Sequence, residues 1–381
     1  MAAPPRAYRQ AGPALVVFLG GLGDSPVEEM VAGARVAASL DSIEAALQCG
    51  GYAGAVLMTD GRVPLPALPE GVLVDADGGP FHFGRRLAEV VRRHGLQRVV
   101  YLGGGSLPLL GAGELAAVAA ALAEEGALVT NNHYSSDMVG FASEALERIE
   151  PPESDNRLAR ALSEEAGLSV RPLERTVASQ LDIDGPTDLA VLALTGEGGP
   201  RLRDYLQALD LETERYRRVL PLFCDRKAEI TVAGRVGSHA WQYLERETAC
   251  RVRLFAEERG MEADGRGVSG EARSLVGFFL EAAGPQRFFQ ALAELGDAAF
   301  IDTRVLLAHF RTEAGRADRF LSDLGRWREI AEPFLRDFTR AALEAPLPVL
   351  LGGHSLVSGG LMALNEFAWR ERERDSGATP A

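Results

Sequence analysis

"VVYLGGGSLPLLGAGEL", residues 99–115, joins a run of apolar residues to a glycine-rich turn and then to the start of a helix. Such an apolar run is typical of a strand that is buried on both faces of a sheet. Open α/β sheets bind ligands at turns that follow the carboxyl ends of their strands. Glycine lets a ligand approach the backbone closely, but it also forms turns that have no other role. The stretch therefore predicts an α/β fold and leaves the role of its turn open.

The same alternation of strand and helix patterns extends through the first half of the chain. Apolar runs at residues 14–21, 53–60 and 127–132 predict strands, and amphipathic segments between them predict helices, so we expect a mainly parallel sheet. "TGEGGPRL" (residues 195–202) is typical of a linker. We therefore predict one α/β domain over residues 1–197 and a second domain over residues 198–381.

The second predicted domain is mostly α-helical. Five segments there have apolar residues at helical spacing, among them "SHAWQYLERETACRVRLFAEERG" (residues 238–260). Two short β-like runs, "AEITVAGRVG" (residues 228–237) and "LPVLLGG" (residues 347–353), interrupt them. A further segment contains His354 and Ser355. Because these residues are adjacent in the sequence, they do not by themselves form a pair of catalytic nucleophile and general base.

Composition excludes several classes of function. The 381 residues carry a net charge of −14, which argues against nucleic acid and anionic membranes as partners. Lys227 is the only lysine, so no P-loop is present. Three scattered cysteines indicate a reducing compartment, and residues 1–13 lack the pattern of a signal peptide. We expect a cytoplasmic protein, for which a homodimer is one of the assemblies to consider.

The first candidate binding site is "FLGGLGDSP" (residues 18–26), where a strand runs through glycines into a helix. Backbone N–H groups at a helix N-terminus suit a phosphate, so Gly20, Gly21 and Gly23 are candidate nucleotide-binding residues. The spacing is not that of a dinucleotide fingerprint. A simple tight turn explains the pattern as well.

Two later stretches end in polar side chains. In "SQLDIDGPTDL" (residues 179–189) we expect a short strand whose end offers Asp182 or Asp184 to Mg²⁺, although aspartates in turns commonly only cap them. In "TNNHYSSDM" (residues 130–138), Asn131, Asn132 and His133 offer orientable hydrogen-bonding groups to a ligand.

These stretches together resemble the GT-A fold nucleotidyltransferases, in particular the MobA-like and 2-phospho-lactate guanylyltransferase-like branch. The resemblance covers residues 14–195 and rests on "VVFLGGLGDSP", "VVYLGGGSLPLLGAGEL", "TNNHYS" and "LDIDGPTDL". It implies transfer of an NMP moiety from a nucleoside triphosphate to a small phosphorylated or anionic acceptor, with Mg²⁺. The residues it implicates are Gly20, Gly21, Gly23, Gly104 and Ser106 for the nucleotide, Asp182 and Asp184 for metal and catalysis, and Asn131, Asn132 and His133 for the acceptor.

The chain departs from this family in two of these motifs. Its first turn carries Asp24, Glu28 and Glu29 where the family has basic residues, and Ser106 stands where the family has a metal-binding aspartate. Phosphoryl transfer needs positive charge, which Arg235 or Arg259 of the second domain could provide. The alternative is a catalytically inactive GT-A scaffold that binds a nucleotide or nucleotide-sugar or serves as an interaction protein. A dinucleotide-dependent oxidoreductase is a third, weaker hypothesis.

Overall fold

The computed structural model describes residues 12–76 and 79–375 and divides the chain into two compact units. The first unit contains the described residues of Met1–Leu22, Ala32–Ser179 and Gly198–Tyr205. The second contains those of Gly23–Val31, Gln180–Glu197 and Leu206–Ala381. The motif around Asp182 and Asp184 thus belongs to the second unit, whereas the predicted domain boundary placed it in the first.

Strands and helices alternate through most of the chain. The strands are β1 (Ala14–Leu19), β2 (Gly54–Thr59), β3 (Val72–Ala76), β4 (Arg98–Gly103), β5 (Ala127–Thr130), β6 (Met138–Ala142), β7 (Ser169–Pro172), β8 (Glu229–Gly234), β9 (Arg251–Ala256), β10 (Ala298–Asp302) and β11 (Val349–Gly352). The helices are α1 (Pro26–Gln48), α2 (Phe83–His94), α3 (Ala112–Ala121), α4 (Leu158–Glu164), α5 (Val177–Gln180), α6 (Pro186–Thr195), α7 (Pro200–Gln207), α8 (Glu214–Phe223), α9 (Ser238–Glu247), α10 (Arg266–Ser269), α11 (Leu275–Leu295), α12 (Thr303–Phe310), α13 (Arg316–Asp323), α14 (Pro333–Leu343) and α15 (Leu361–Asp375).

The first unit is built on a seven-stranded sheet of order β3-β2-β1-β4-β6-β5-β7. All neighbouring strands are parallel except β6, which runs antiparallel to both β4 and β5. Strand β1 is buried along its whole length because its alternate side chains enter separate apolar clusters on the two faces of the sheet. The predicted α/β fold with a mainly parallel sheet is therefore confirmed.

The second unit contains many helices together with a four-stranded sheet of order β11-β10-β8-β9. All three strand pairs in it are parallel. The two β-like runs predicted from the sequence form β8 and β11. The other two strands were not predicted: β9 lies inside a segment that we expected to be helical, and β10 overlaps the start of "FIDTRVLLAHF" (residues 300–310).

Two sequence expectations require correction. The helix predicted over residues 238–260 ends at Glu247, and β9 follows because its residues pair with β8 instead of continuing the helix. The short strand predicted at Asp182 and Asp184 is reduced to a single bridge residue, Asp182. The Asp182 N–H donates to Ser355 Oγ, and the Asp184 N–H donates to the Asp188 carboxylate, so a side chain accepts each of these N–H groups.

Candidate functional site

The first sheet has a topological switch point between β1 and β4. From β1 the chain passes to β2 and β3 on one side, and then returns to form β4 on the other side. The loops after β1 and β4 therefore diverge and leave a crevice at the carboxyl ends of these strands, where α/β sheets bind their ligands. The predicted residues Gly20, Gly21, Gly104 and Ser106 lie in these two loops.

The turn after β4 uses its own backbone donors internally. The N–H of Gly103 donates to the Asp137 carbonyl (3.0 Å), and that of Gly104 to the Phe18 carbonyl (2.8 Å). The N–H of Gly105 donates to Ser39 Oγ (3.3 Å), and the Ser106 N–H closes the turn on the Gly103 carbonyl. A ligand at this turn can therefore bond to the Ser106 hydroxyl, and the glycines allow it to approach the backbone closely.

The glycines of this turn are required by packing. A Cβ on Gly104 would lie 2.7 Å from the Phe18 carbonyl oxygen, nearer than nonbonded atoms normally come. Gly105 has φ = 81° and packs against the side chain of Arg35, whose aliphatic stem fills the space of a side chain. The turn thus brings a guanidinium group to the crevice from α1, on the side of β4.

A second arginine lies beside the turn after β1. The Gly21 N–H donates to Asp60 Oδ2 (2.9 Å), which holds this turn against the loop after β2. A Cβ on Gly21 would lie 3.0 Å from Arg62 Cβ. Arg62 is exposed, and within residues 12–76 and 79–375 its guanidinium has no hydrogen-bond or ion-pair partner. The Arg62 side chain is thus available to an anion at this turn.

The N-terminus of α1 is capped by an acidic side chain of the same helix. Glu28 Oε2 accepts hydrogen bonds from the Ser25 hydroxyl (2.7 Å) and the Ser25 N–H (3.3 Å). Its carboxylate lies against the α-carbon of Gly23, which has φ = 158° and no side chain. Glu28 therefore already provides negative charge at the helix end where the sequence predicted a phosphate.

Two carboxylates approach the end of β4 from other loops. The Tyr101 hydroxyl donates to Asp155 Oδ2 (2.8 Å), and a Cβ on Gly103 would lie 3.6 Å from the same oxygen. Burial raises the pKa of Asp155, although the Tyr101 hydrogen bond and the charge of Arg35 oppose the shift. Burial, then the charges of Asp155 and Asp137, raise the pKa of Tyr101 well above its usual value. An acid is thus present near Ser106, contributed by Asp155 instead of by the turn itself.

The predicted acceptor residues differ in their accessibility to a ligand. Asn131 is buried: its Oδ1 accepts from the N–H groups of Asp137 and Met138, and its Nδ2 donates to Asp137 Oδ2 (2.9 Å). Asn131 therefore shapes the loop. Asn132 and His133 are half-buried, and His133 Nδ1 is a buried atom that has no hydrogen-bond partner in the described structure.

Asp184 lies in an electrostatic environment set by arginines. It is exposed just before α6. Burial lowers the pKa values of Arg235 and Arg304, but the charges of their partners Asp302 and Asp323 outweigh this and raise them, and Asp184 adds a smaller contribution in the same direction. The N–H groups of Asp184 and Gly185 both donate to Asp188 Oδ2 (2.8 Å each). The Asp182 N–H donates to Ser355 Oγ, and the Ser355 hydroxyl donates to the Asp182 carbonyl (2.8 Å).

Cavities of 1380 Å³ and 710 Å³ lie away from these loops. The larger, in the second unit, is lined by residues that precede β8 and β9, such as Lys227 and Ala249. The smaller, in the first unit, is lined by the first residues of several strands, including Ala14 and Ala127. Both adjoin amino ends of parallel strands, opposite the edge where ligands bind in this architecture.

The described residues contain neither a metal-binding cluster nor a membrane-spanning helix. Between residues 12 and 375, outside the gap at 77–78, no group of three or more His, Cys, Asp or Glu side chains is arranged to hold a metal ion. Among the helices that the structure describes, none is long and apolar enough to cross a membrane. The magnesium ligands proposed from the sequence, Asp182 and Asp184, stay a prediction.

Sequence reasoning did not identify Arg35, Arg62, Asp60 or Asp155 at this crevice. Arg35 lies within a long apolar helix, and Arg62 follows β2 in an irregular loop. Asp155 belongs to the connector "IEPPESDN" (residues 149–156), which lies between the turn after β4 and the motif at residues 179–189 that we expected to close the site. Only the strand order brings these positions together.

No protein-family model and no curated protein matches this chain. Solved structures similar to it include a protein described as a nucleotide-diphospho-sugar transferase from Desulfovibrio desulfuricans G20, with 16% identity and a TM-score of 0.38 over 51% of this chain and 93% of that chain. A CMP:2-keto-3-deoxy-manno-octonic acid synthetase complexed with CTP is similar at 14% identity and a TM-score of 0.29, over 42% of this chain and 89% of the other.

Proposed function

We propose that the first unit binds a nucleoside triphosphate in the crevice between β1 and β4, and that the chain transfers the NMP moiety to a small phosphorylated or anionic acceptor. The observation that carries the proposal is the guanidinium of Arg62, which has no partner among the described residues and belongs to a side chain beside Gly21, at the switch point of a mainly parallel sheet. Guanidinium is the side-chain group best shaped for phosphate, which it binds through two parallel hydrogen bonds.

Arg35 supports the same proposal from the other loop of the crevice. Its side chain packs against Gly105, and its charge reaches Asp155. Arg35 and Arg62 thus place positive charge beside both glycine turns from within the first unit. These two arginines would provide the positive charge that basic residues supply in the family's first turn, so neither Arg235 nor Arg259 is needed for that role.

An exposed aromatic ring offers a surface for the base. Phe81 is 65% exposed although it contacts Phe18 edge-to-face at 6.3 Å, near the carboxyl end of β1. An exposed ring fixed at such an edge can stack on a planar base. Asn132 and His133 are the proposed acceptor-binding residues, because they remain accessible where Asn131 is not.

The side chains of the first unit fit Mg²⁺ better than those around Asp184. Mg²⁺ is usually held by one or two carboxylates together with substrate phosphates, which Asp137 and Asp155 could provide. The charge of Asp184 instead acts on Arg235 and Arg304, and these two positive groups compete with a metal ion for it. At Asp137 and Asp155 the ion would neutralise phosphate charge and favour the ionised form of Asp155.

In the proposed reaction an oxygen of the acceptor forms a bond to the α-phosphorus while the bond from that phosphorus to the β-phosphate oxygen breaks. Pyrophosphate leaves with the bonding electrons. Arg62 and Arg35 bind and orient the phosphates, and the Ser106 hydroxyl offers one hydrogen bond at the floor of the crevice.

The second candidate is a scaffold that binds a nucleotide or nucleotide-sugar without catalysis, or that acts as an interaction protein. Glu28 favours it, because this carboxylate provides the negative charge at the N-terminus of α1. The internal hydrogen bonds of residues 103–106 favour it as well, because they leave few backbone donors for a transition state.

A pyrophosphate-release assay separates these candidates. The chain is incubated with Mg²⁺, each nucleoside triphosphate in turn and a set of phosphorylated small molecules. We expect release with one base and one acceptor, reduced at least about tenfold in Arg62→Ala, because one charged hydrogen bond is worth about 1.5–3 kcal/mol. Arg160→Ala, which removes an exposed arginine of α4, should leave the rate unchanged. Binding of a triphosphate without release in any combination supports the scaffold.

Carboxylate variants then test where the metal binds. If Asp137 and Asp155 hold Mg²⁺, Asp155→Asn abolishes release, whereas Asp182→Asn and Asp184→Asn retain it. The opposite pattern supports the ligands predicted from the sequence and contradicts our assignment. Asparagine retains an oxygen that can accept the Tyr101 hydrogen bond, so this change tests the charge of Asp155 more than its packing.

A further inference from the structure

The second sheet has a switch point of its own. From β8 the chain passes to β9 on one side and then forms β10 and β11 on the other, so a crevice opens at the carboxyl ends of β8 and β10. Arg235 directly follows β8, Asp302 ends β10, and His354 follows β11 after one glycine. Charged and titratable side chains therefore gather at the edge where a ligand would bind.

Two buried ion pairs form the base of this crevice. Arg235 donates to both oxygens of Asp302, from Nε at 2.6 Å and from Nη2 at 3.2 Å. Arg304 makes a two-point contact with Asp323 at 2.6 Å and 2.7 Å. The side chains of Asp302 and Asp323 are 0% exposed. Each aspartate is thus matched by its own arginine and contributes little net charge to the crevice.

Other polar atoms here have no partner. Arg319 Nε and His354 Nδ1 are buried atoms without a hydrogen bond in the described structure. Arg319 also forms no ion pair with the described residues, although Asp323 and the exposed Glu262 act on it at longer range. Buried polar groups are rarely left unpaired, so these two atoms indicate that a ligand group or ordered water completes the site.

Several charged groups act on Arg319 and His354. Burial lowers the pKa of Arg319, the positive charges of Arg304 and Arg316 lower it further, and Asp323 and Glu262 oppose the shift. Burial likewise lowers the pKa of His354, with a further lowering by Arg235, while Asp302 and Asp184 oppose the shift. Among the described residues Asp188 Oδ1 is also a buried atom without a hydrogen bond, and burial raises the pKa of this carboxyl well above its usual value.

Two glycines pack closely against Arg304. A Cβ on Gly353 would lie 3.7 Å from Arg304 Nε, and one on Gly185 would lie 3.5 Å from Arg304 Nη2 and 2.9 Å from Asp323 Oδ2. Any other residue at Gly185 would press on the ion pair. The first of these contacts also places the loop that carries His354 beside the Arg304 guanidinium.

From this arrangement we infer that the second unit has an anion site of its own, at the carboxyl ends of β8, β10 and β11, which binds the phosphate group of a small molecule through Arg319, Arg304 and His354. A hydrogen phosphate group can accept from the arginines and can either accept from or donate to His354 Nδ1, whichever tautomer is present. The site is independent of the nucleotide crevice proposed for the first unit. Inorganic phosphate and phosphomonoesters share the chemistry that it recognises.

Calorimetric titration of the full chain tests this site with inorganic phosphate and with glycerol 3-phosphate as probes. We expect at least one probe to bind with a Kd on the order of 1 mM or tighter. Arg319→Gln should weaken binding at least about tenfold, since it removes a charged donor. Arg287→Gln removes an exposed arginine from α11 and should leave the Kd unchanged. Tighter binding of glycerol 3-phosphate than of phosphate identifies the ester as the preferred class.

Further variants separate this site from the first crevice. His354→Gln should also weaken binding, and the imidazole nitrogen signals of His354 should shift when phosphate is added to the wild-type chain. Arg62→Ala should leave phosphate binding intact even if it abolishes nucleotide binding. The inference is overturned if neither probe binds in the millimolar range. It is equally overturned if binding is lost in Arg62→Ala and retained in Arg319→Gln.

Discussion

The two sheets differ in how the charged groups at their carboxyl ends are paired. At the first sheet the N–H groups of residues 103–106 bond within the protein, and the guanidinium of Arg62 has no partner among the described residues. At the second sheet Arg235 and Arg304 are each bonded to a buried aspartate, and in the described part of the chain His354 Nδ1 and Arg319 Nε are left without a hydrogen bond. The first edge thus presents an exposed cation, and the second presents cations held in place by ion pairs.

This difference shows what each edge depends on. A buried ion pair that loses one member leaves an uncompensated charge in a medium of low polarity, which costs far more than an exposed pair contributes. The second edge should therefore be sensitive to the removal of one carboxylate. The first should depend more on the close packing of its glycine turns.

The largest effect is expected for Asp302→Asn. This change leaves Arg235 buried without its counter-charge and weakens the cap that Asp302 gives to Arg304 N, so the free energy of unfolding should fall by about 3–5 kcal/mol. Tryptophan fluorescence during urea unfolding measures it, because Trp241, Trp327 and Trp369 all lie in the second unit. Asp337→Asn, at an exposed pair with Arg340, should cost less than about 1 kcal/mol.

A charged cluster in the first unit gives the next effect. Asp75 accepts from Arg86 (2.6 Å), Arg93 (2.5 Å) and His94 (2.9 Å). Burial raises its pKa, but the His94 hydrogen bond and the two arginines outweigh this and lower the pKa below 3.8. Asp75→Asn should cost about 1.5–3 kcal/mol at neutral pH, measured by urea unfolding followed by far-UV circular dichroism.

The lowered pKa of Asp75 fixes the sign of the pH dependence. Its stabilising contribution is complete above 3.8, its ordinary value, and is lost as the pH falls through the lower pKa of the folded state. The difference in unfolding free energy between wild type and Asp75→Asn should therefore shrink below pH 3.8 and stay constant above it. A difference that grew on acidification would contradict the role of this cluster.

Gly104→Ala tests the packing of the first edge. The added Cβ would lie 2.7 Å from the Phe18 carbonyl oxygen, so the turn must shift, at a cost of about 1–3 kcal/mol. Gly113→Ala is the matched control, because nothing lies within 4 Å of the added carbon at the start of α3. Equal stability of the two variants would show that the turn has room for a side chain.

The smallest effect is expected at the cap of α1. Glu28→Gln keeps an acceptor for the Ser25 hydroxyl but removes the negative charge that strengthens the two hydrogen bonds from Ser25, which should cost about 0.3–1 kcal/mol. Thermal unfolding measures this against Glu29→Gln, which has the same charge change in the first turn without a role in the cap. An equal loss in both variants would remove the special role given to Glu28.

The sequence predicts best where burial is uniform. Strands β1, β2 and β4 are continuous apolar runs buried on both faces, a pattern that few other structures produce. Strand β9 was missed because it lies at the edge of its sheet and is only partly buried, so its arginines give the segment a helical appearance. Strand β10 was missed because the helix that follows Asp302 without a break obscures where it ends.

The candidate sites were predictable only in part. The motif containing Asp184 was identified from its residues. The charged groups around it follow β8 or lie in α12 and α13, too far along the chain for a local sequence pattern to connect them with the motif. The sequence shows that Ser106 stands where the family has a metal-binding aspartate. It does not show that Asp155, from the connector at residues 149–156, lies near this serine. Local patterns identify loops, whereas the order of strands in the sheet decides which loops meet.

The most direct test of the central claim is a calorimetric titration of the wild-type chain with Mg²⁺-bound nucleoside triphosphates, repeated with Arg62→Ala and Arg160→Ala. We expect saturable binding of at least one triphosphate, weakened at least about tenfold in Arg62→Ala and unchanged in Arg160→Ala. Absence of binding by every triphosphate, or equal affinity in all three proteins, would contradict a nucleotide site between β1 and β4.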